Sequence, residues 1–324
     1  MNIQEKNIKN LKWIIDTDIG DDIDDAYAIE YAIKSNFDVA AITTVFRAPK
    51  SRAKLTKYLT NLMGKDIKVY AGIDKPLVND LYQIQKKERY LSGKQLEIYQ
   101  NDDEWLPQLV EQAKETKYDG LDAVEKTKEI IENGNGDVGI VAIGPLTNIA
   151  TLIEKYPSLK EKIPVIVIMG TTSFGDKPEY NIKIDPEAAK IVFGSNIKII
   201  MVPCDVTLKT CSFDAKTLKD FEKLKYDLCC FNRDILEKWK NTPLYNNRMP
   251  CMHDALVFYV IRQLDRIKTI ETSVEVDLNE PDKGMTRLID KSSNNIKLVL
   301  DVDKDIFIND FMKVISRWET YIST

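Results

Sequence analysis

Short runs rich in isoleucine and valine alternate with segments of helical period along most of this chain. "LKWIID" (11–16) reads as a buried strand and "DDAYAIEYAIKS" (24–35) as the helix after it. "DVAAITTVF" (38–46), a helix through "AKLTKYLTNLMG" (53–64) and the strand "IKVYAG" (67–72) repeat the scheme. Beyond a polar, charged stretch at 79–119 come the strands "GDVGIVAIG" (136–144), "IPVIVIMG" (163–170) and "NIKIIMVP" (196–203), the last preceded by a helix opening "DPEAAKIVFG". Strands that are apolar throughout are buried on both faces, and their alternation with helices predicts an α/β fold with a mostly parallel central sheet. Such sheets collect their ligands at the carboxyl ends of the strands.

From 204 onward the pattern changes to helices over about 213–240 and 254–263, the β-like stretches "TSVEVDL" and "NIKLVLDVD", and a terminal helix over "DIFINDFMKVISRWET". No repeat, linker or composition break appears. The expectation is a single domain over 1–324 with a C-terminal helical and small β extension, and 79–119 as an insertion or lid.

Composition narrows the classes. Hydrophobic residues make up 44% and charged ones 30%, as in ordinary globular proteins, and the net charge of −5 gives no electrostatic reason to bind nucleic acid. No run approaches the ~18 apolar residues of a membrane span. The polar start "MNIQEKNIKN" lacks a secretory pattern, and five cysteines without zinc-type spacing read as reduced packing thiols. A cytoplasmic protein is expected.

The candidate chemistry begins where the first strand ends. Asp16, Asp18, Asp21, Asp22, Asp24 and Asp25 fall within ten positions. Helix capping explains one or two of them, Asp24 above all. It does not explain six, because unneutralised carboxylates at close range repel one another. The chain has one histidine and no cysteine near this loop, so oxygen-seeking Ca²⁺ or Mg²⁺ is indicated rather than a softer metal. That histidine, His253, precedes Asp254 at the start of an apolar helix. Alone, the pair reads as a surface residue and a cap. As a site, Asp254 reaches a metal while the imidazole reaches a substrate. "AIGPLTNIA" (142–150) ends a strand in a Gly-Pro turn that leaves the Ile143 carbonyl without an obvious ladder partner. The loop within "MGTTSFGDKPEYNIKIDPEAA" (169–189) carries Glu179 and Asn181, with Asp185-Pro186 as an ordinary helix start.

Taken in order, "DTDIGDDIDDA", "GPLTNIA", "MG…EYNIKIDPEAA" and "MHDAL" resemble the motifs of the nucleoside hydrolase family, and "ITTVF" and "KGMTRLID" look like further family segments. The resemblance spans most of the chain, with 79–119 the poorest match. It implies calcium-dependent hydrolysis of ribonucleosides by a homodimer or homotetramer that engages neither nucleic acid nor membrane. It also implies roles: Asp18 as calcium ligand and general base, Asp25, Asp254 and the main-chain oxygen of Ile143 as further ligands, and Asp24, Met169, Glu179 and Asn181 around the ribose. His253 would protonate the leaving base, and Asp16 would orient the metal's ligands.

This chain departs from the family pattern at several points. Its first loop is two residues longer than the shortest family form, so Asp21 or Asp22 is an alternative ligand. Arg47-Ala48 stand where Gly-Asn is usual, and Asp176 lies near the expected ribose 5′ end. Two other readings stay open: a Mg²⁺-dependent phosphohydrolase, and a catalytically altered relative that binds or cleaves another ribosyl compound.

Overall fold

The computed structural model describes residues 5–78, 104, 106–173, 177–224, 228–241, 248–290 and 295–317. Among the described residues, nine strands form one mixed sheet: β1 (Lys12–Thr17), β2 (Asp38–Thr44), β3 (Val69–Ala71), β4 (Val138–Ala142), β5 (Ile166–Met169), β6 (Ile199–Val202), β7 (Lys268–Val276), β8 (Thr286–Ile289) and β9 (Ile296–Asp301). Their order is β3-β2-β1-β4-β5-β6-β9-β7-β8. Neighbours from β3 to β9 run parallel, while β7 is antiparallel to both β9 and β8. The expected β extension therefore continues the central sheet, since Ile199 of β6 pairs with Ile296 of β9. The pattern of apolar residues had left β8 unassigned, because "TRLI" is too short and mixed to show a period.

The helices are α1 (Asp24–Lys34), α2 (Pro49–Leu62), α3 (Ala123–Asn133), α4 (Thr147–Lys155), α5 (Tyr180–Ile184), α6 (Pro186–Phe193), α7 (Cys204–Cys211), α8 (Ala215–Glu222), α9 (Cys229–Lys240), α10 (Ala255–Gln263) and α11 (Lys304–Ile315). Side chains alternate across each strand. Trp13 and Ile15 enter a core shared with α1, α2 and α7 to α11, whereas Ile14 enters one shared with α3 to α6. α7 was not anticipated: its "CDVTLKTC" lacks a clear apolar stripe. None of the described helices is long and apolar enough to cross a membrane.

β1 has β2 on one side and β4 on the other, so the connections leave their carboxyl ends in opposite directions. That divergence opens the crevice in which sheets of this kind place ligands. α1, which follows β1, is buried along its whole length. Within it, Lys34 Nζ pairs with Glu30 Oε1 at 2.8 Å and both side chains are fully buried. Lys34 also donates to the Ile315 carbonyl at 2.7 Å, and Asn232 Nδ2 donates to Glu30 Oε2 at 2.9 Å. These bonds fix α1 against α9 and the end of α11, and with it the aspartates at its start.

Removing one partner of a buried ion pair leaves the other charge stranded. Lys34→Met should therefore cost about 3–5 kcal/mol, and adding Glu30→Gln should recover much of the loss. Urea unfolding of the three proteins measures this directly.

Candidate active site

The end of β1 supplies the first acids. Asp16 is buried; its Oδ1 accepts from Thr43 Oγ1 at 2.6 Å and Asn148 Nδ2 at 2.8 Å, while Oδ2 has no hydrogen-bond partner. Burial pushes its pKa up to about 7. Asn148, from the "GPLTN" turn, also donates to the Thr44 carbonyl and accepts from the Ile73 N–H, so one amide ties β1, β2 and the segment after β3 together. Asp18, just past the end of β1, is 7% exposed. A methyl group on Gly144 would sit 2.9 Å from the Asp18 nitrogen and 3.0 Å from its Oδ1. Glycine at that turn is what lets the end of β4 come so close.

Asp24 and Asp25 open α1. Ile23 occupies the N-cap position and no side chain caps the helix, so the capping role considered for Asp24 is not the one it has. Thr17 Oγ1 donates to Asp25 Oδ1 at 2.5 Å. Asp254, just before α10, completes a buried group in which carboxylate oxygens of Asp24, Asp25 and Asp254 lie within 4.8 Å of one another. All three have pKa values raised well above the ordinary carboxylate range. The cause is loss of solvent first, then the negative charge of neighbours that include Asp18 in every case. A helix N-terminus offers a carboxylate about 0.3–1 kcal/mol, whereas burying an ion costs several. The dipole of α1 is thus too weak to account for three acids, and a divalent cation with oxygen ligands fits the donor set. Asp21 pairs with Arg52 at 2.8 Å, whereas Asp22, whose Oδ1 accepts from the Ile23 N–H and Trp239 Nε1, lies near enough for its charge to raise the proton affinities of Asp24 and Asp254.

The loops after β4 and β5 form the facing wall. The Ile143 carbonyl accepts from Asn181 Nδ2 at 3.3 Å, and the same amide donates to the Met169 carbonyl at 3.4 Å. Glu179 caps α5, its Oε1 taking the Asn181 N–H at 3.0 Å and its Oε2 the Ile182 N–H at 3.2 Å. Burial raises its pKa to about 7, with a smaller contribution from Asp18. Asp185 caps α6 and also accepts from Thr147 and the Leu77 N–H, which makes it structural. Asp176 lies outside the described residues.

His253 is half-buried, and loss of solvent lowers its pKa to about 4. Its Nδ1 lies 2.6 Å from Thr207 Oγ1, and the Thr207 hydroxyl donates to the Cys204 carbonyl at 2.9 Å. A hydroxyl has one proton to give. The imidazole therefore donates from Nδ1, and Nε2 of the neutral ring is left as an acceptor.

Comparison with known proteins settles the family. The model of the inosine-uridine preferring nucleoside hydrolase family matches residues 13–309. The chain belongs to the nucleoside hydrolase family. It is thereby an N-glycosyl hydrolase. The pyrimidine-specific ribonucleoside hydrolase RihA of Salmonella arizonae is 30% identical over 325 residues, covering 92% of this chain and 96% of the relative. RihB of Escherichia coli, also named pyrimidine-specific, is 30% identical, covering 91% and 94%. A purine-preferring ribonucleoside hydrolase from Gardnerella vaginalis has the same fold, with a TM-score of 0.77 at 27% identity over 94% of this chain and 98% of that one.

Within this nucleoside hydrolase, sequence reasoning passed over Asn148, Thr207 and Arg52. Asn148 lay inside a quoted motif but has no charge to draw attention, and Thr207 sits on the unanticipated α7. Arg52 did leave a signal. It stands three and seven residues before Leu55 and Leu59, on the apolar stripe of α2, and a charge there reads as buried. Arg47, at the departure from the usual Gly-Asn, is 1% exposed with φ +26°, between Phe46 at +61° and Ala48 at +56°. The usual glycine suits such a backbone, which costs other residues about 1–2 kcal/mol.

Asp16 and Glu179 titrate near 7 in the folded chain against 3.8 and 4.5 when solvated. Their contribution to stability is therefore present below about pH 4 and lost as pH rises through about 7. The chelator-treated protein should melt at progressively lower temperature from pH 5 to pH 8, and a divalent cation, which binds only the folded acids, should reverse the fall. A flat melting profile would contradict this account of the buried carboxylates.

Proposed function

We propose that the chain hydrolyses the N-glycosidic bond of ribonucleosides in a calcium-dependent reaction, releasing free base and ribose. The observation that carries this reading is the buried group Asp24, Asp25 and Asp254 beside Asp18, at the crevice where β1 and β4 diverge. Asp18, Asp25, Asp254 and the Ile143 carbonyl are the residues that would hold the ion. When bound, calcium supplies the positive charge that orients the ribose hydroxyls and acidifies a water.

The chain's own residues supply the rest. Glycosidic cleavage proceeds through a sugar with oxocarbenium character, so positive charge develops at C1′ in the transition state. Carboxylates held around the ribose stabilise that charge more than they stabilise the neutral substrate, and this difference is what accelerates the step. Asp18 takes the proton from the attacking water. Asp24, Asn181 and Glu179 hold the sugar hydroxyls beside Met169, and the capping bonds of Glu179 fix the direction of its carboxylate before substrate arrives. His253 protonates the departing base from Nε2 in its imidazolium form, the form that burial disfavours in the free site, while Thr207 keeps hold of the Nδ1–H.

Reducing-sugar release from a panel of purine and pyrimidine ribonucleosides, with added Ca²⁺ and with a chelator, tests this reading. Calcium-dependent release from at least one is expected; its absence across the panel would refute the reading. General acid–base assistance is worth roughly 10²–10⁴-fold. Asp18→Ala should accordingly abolish measurable turnover, and near-normal turnover would show the base to be another residue. His253→Ala should slow natural nucleosides much more than 4-nitrophenyl riboside, which needs no proton donor. Equal losses on both would remove His253 from the acid role.

A further inference from the structure

The loop that carries Asp18 has no strand partner beyond Thr17, yet its carbonyls are buried and bonded. Arg52 Nη1 donates to the carbonyls of Asp18 and Ile19, the latter at 2.8 Å, while Nη2 holds the Asp21 carboxylate at 2.8 Å. The next two carbonyls go to Gln108: its backbone N–H donates to Gly20 at 3.1 Å and its Nε2 to Asp21 at 3.0 Å. Four successive carbonyls, 18 to 21, are thus taken by two residues with no exposed surface. Leaving even one such group unpaired costs about 1–3 kcal/mol.

The same guanidinium reaches the neighbouring loop. Its Nε donates to the carbonyls of Phe46 and Arg47, each at 2.8 Å, inside the run of positive φ angles. From the other side, Leu106 seals Gly20: with φ +115°, a side chain there would be strained, and its Cβ would meet Leu106 Cδ1 at 2.9 Å. Glu104 accepts from the Ser51 N–H at the start of α2. Residues just before Gln108 therefore pack on the first loop and on the start of α2.

We infer that Arg52 and Gln108 form a clasp that sets the position of Asp18. Arg52 is a positioning residue for the reaction, and the clasp is what accommodates the two extra residues of this chain's first loop. A planar fork can span two loops and a carboxylate in one rigid arrangement, which an ammonium cannot. The consequence for catalysis rests on the reading of Asp18 as base and calcium ligand; the consequence for the loop does not.

Arg52→Lys is the informative variant, because it keeps a charge opposite Asp21 and loses the fork. Supporting groups of this kind typically change metal affinity or activity about 10–100-fold. In folded Arg52→Lys, amides of the 18–23 segment should exchange with deuterium about tenfold faster. Calcium alone, titrated by calorimetry, should bind about 10–100-fold more weakly, and kcat should fall by a similar factor with KM changed less than about threefold. Should Arg52→Lys fail to fold, Arg52→Gln with Asp21→Asn removes both charges and is read in the same way. Exchange and calcium affinity within about twofold of the wild-type protein would overturn the clasp. A wild-type protein that releases no sugar would instead overturn the functional reading, and segment exchange would then decide the role of Arg52 without reference to turnover.

Discussion

Three carboxylates brought together out of water are the constraint around which this protein is built. Asp24, Asp25 and Asp254 share one buried space, with Asp18 near enough to raise all their proton affinities. Left to themselves, such groups would separate or take up protons. They stay together because the elements that carry them cannot move apart. α1 is locked by the Glu30–Lys34 pair and its bonds to α9 and α11, and the loop before it is gripped by Arg52 and Gln108. Stability given up at this point would be returned by a cation that bound the folded acids, as the proposed function requires.

Asp16 and His253 are each held by hydrogen bonds through one polar atom of the side chain. Asp16 spends one oxygen on Thr43 and Asn148 and keeps the other without a partner. His253 gives Nδ1 to Thr207 and retains Nε2. Asp185, whose oxygens serve α6, Thr147 and the Leu77 N–H, shows the contrasting case: an acid wholly occupied in holding the fold. Residue type alone does not separate these roles. The set of partners does.

The architecture explains why residues so far apart in the chain cooperate. β1 and β4 are neighbours although the second and third strands lie between them in sequence. The turn after β4 therefore arrives beside Asp18, with Gly144 small enough to admit it. The turn after β5 places Asn181 against the Ile143 carbonyl, and the start of α10 brings Asp254 and His253 to the same edge.

Much of this was legible in the amino-acid order. Buried parallel strands must be apolar on both faces, so β1, β2, β4, β5 and β6 stand out as unbroken runs. The acids cluster at the end of the first such run, and together with the "GPLTN" and His-Asp segments they point to the family. Other features were decided only by the tertiary structure. β9 enters between β6 and β7, and the short β8 takes its place at the edge, through backbone bonds that a strand of four residues does not announce. Which acids gather is likewise set by packing: Asp24 and Asp25 meet Asp254 while Asp21 turns to Arg52, although all five are the kinds of side chain that hold or balance charge. Local order specifies how far apart residues lie along a strand or helix. Only folding specifies which of their polar atoms lose water together, and it is that shared loss of water that raises the proton affinities of these carboxylates.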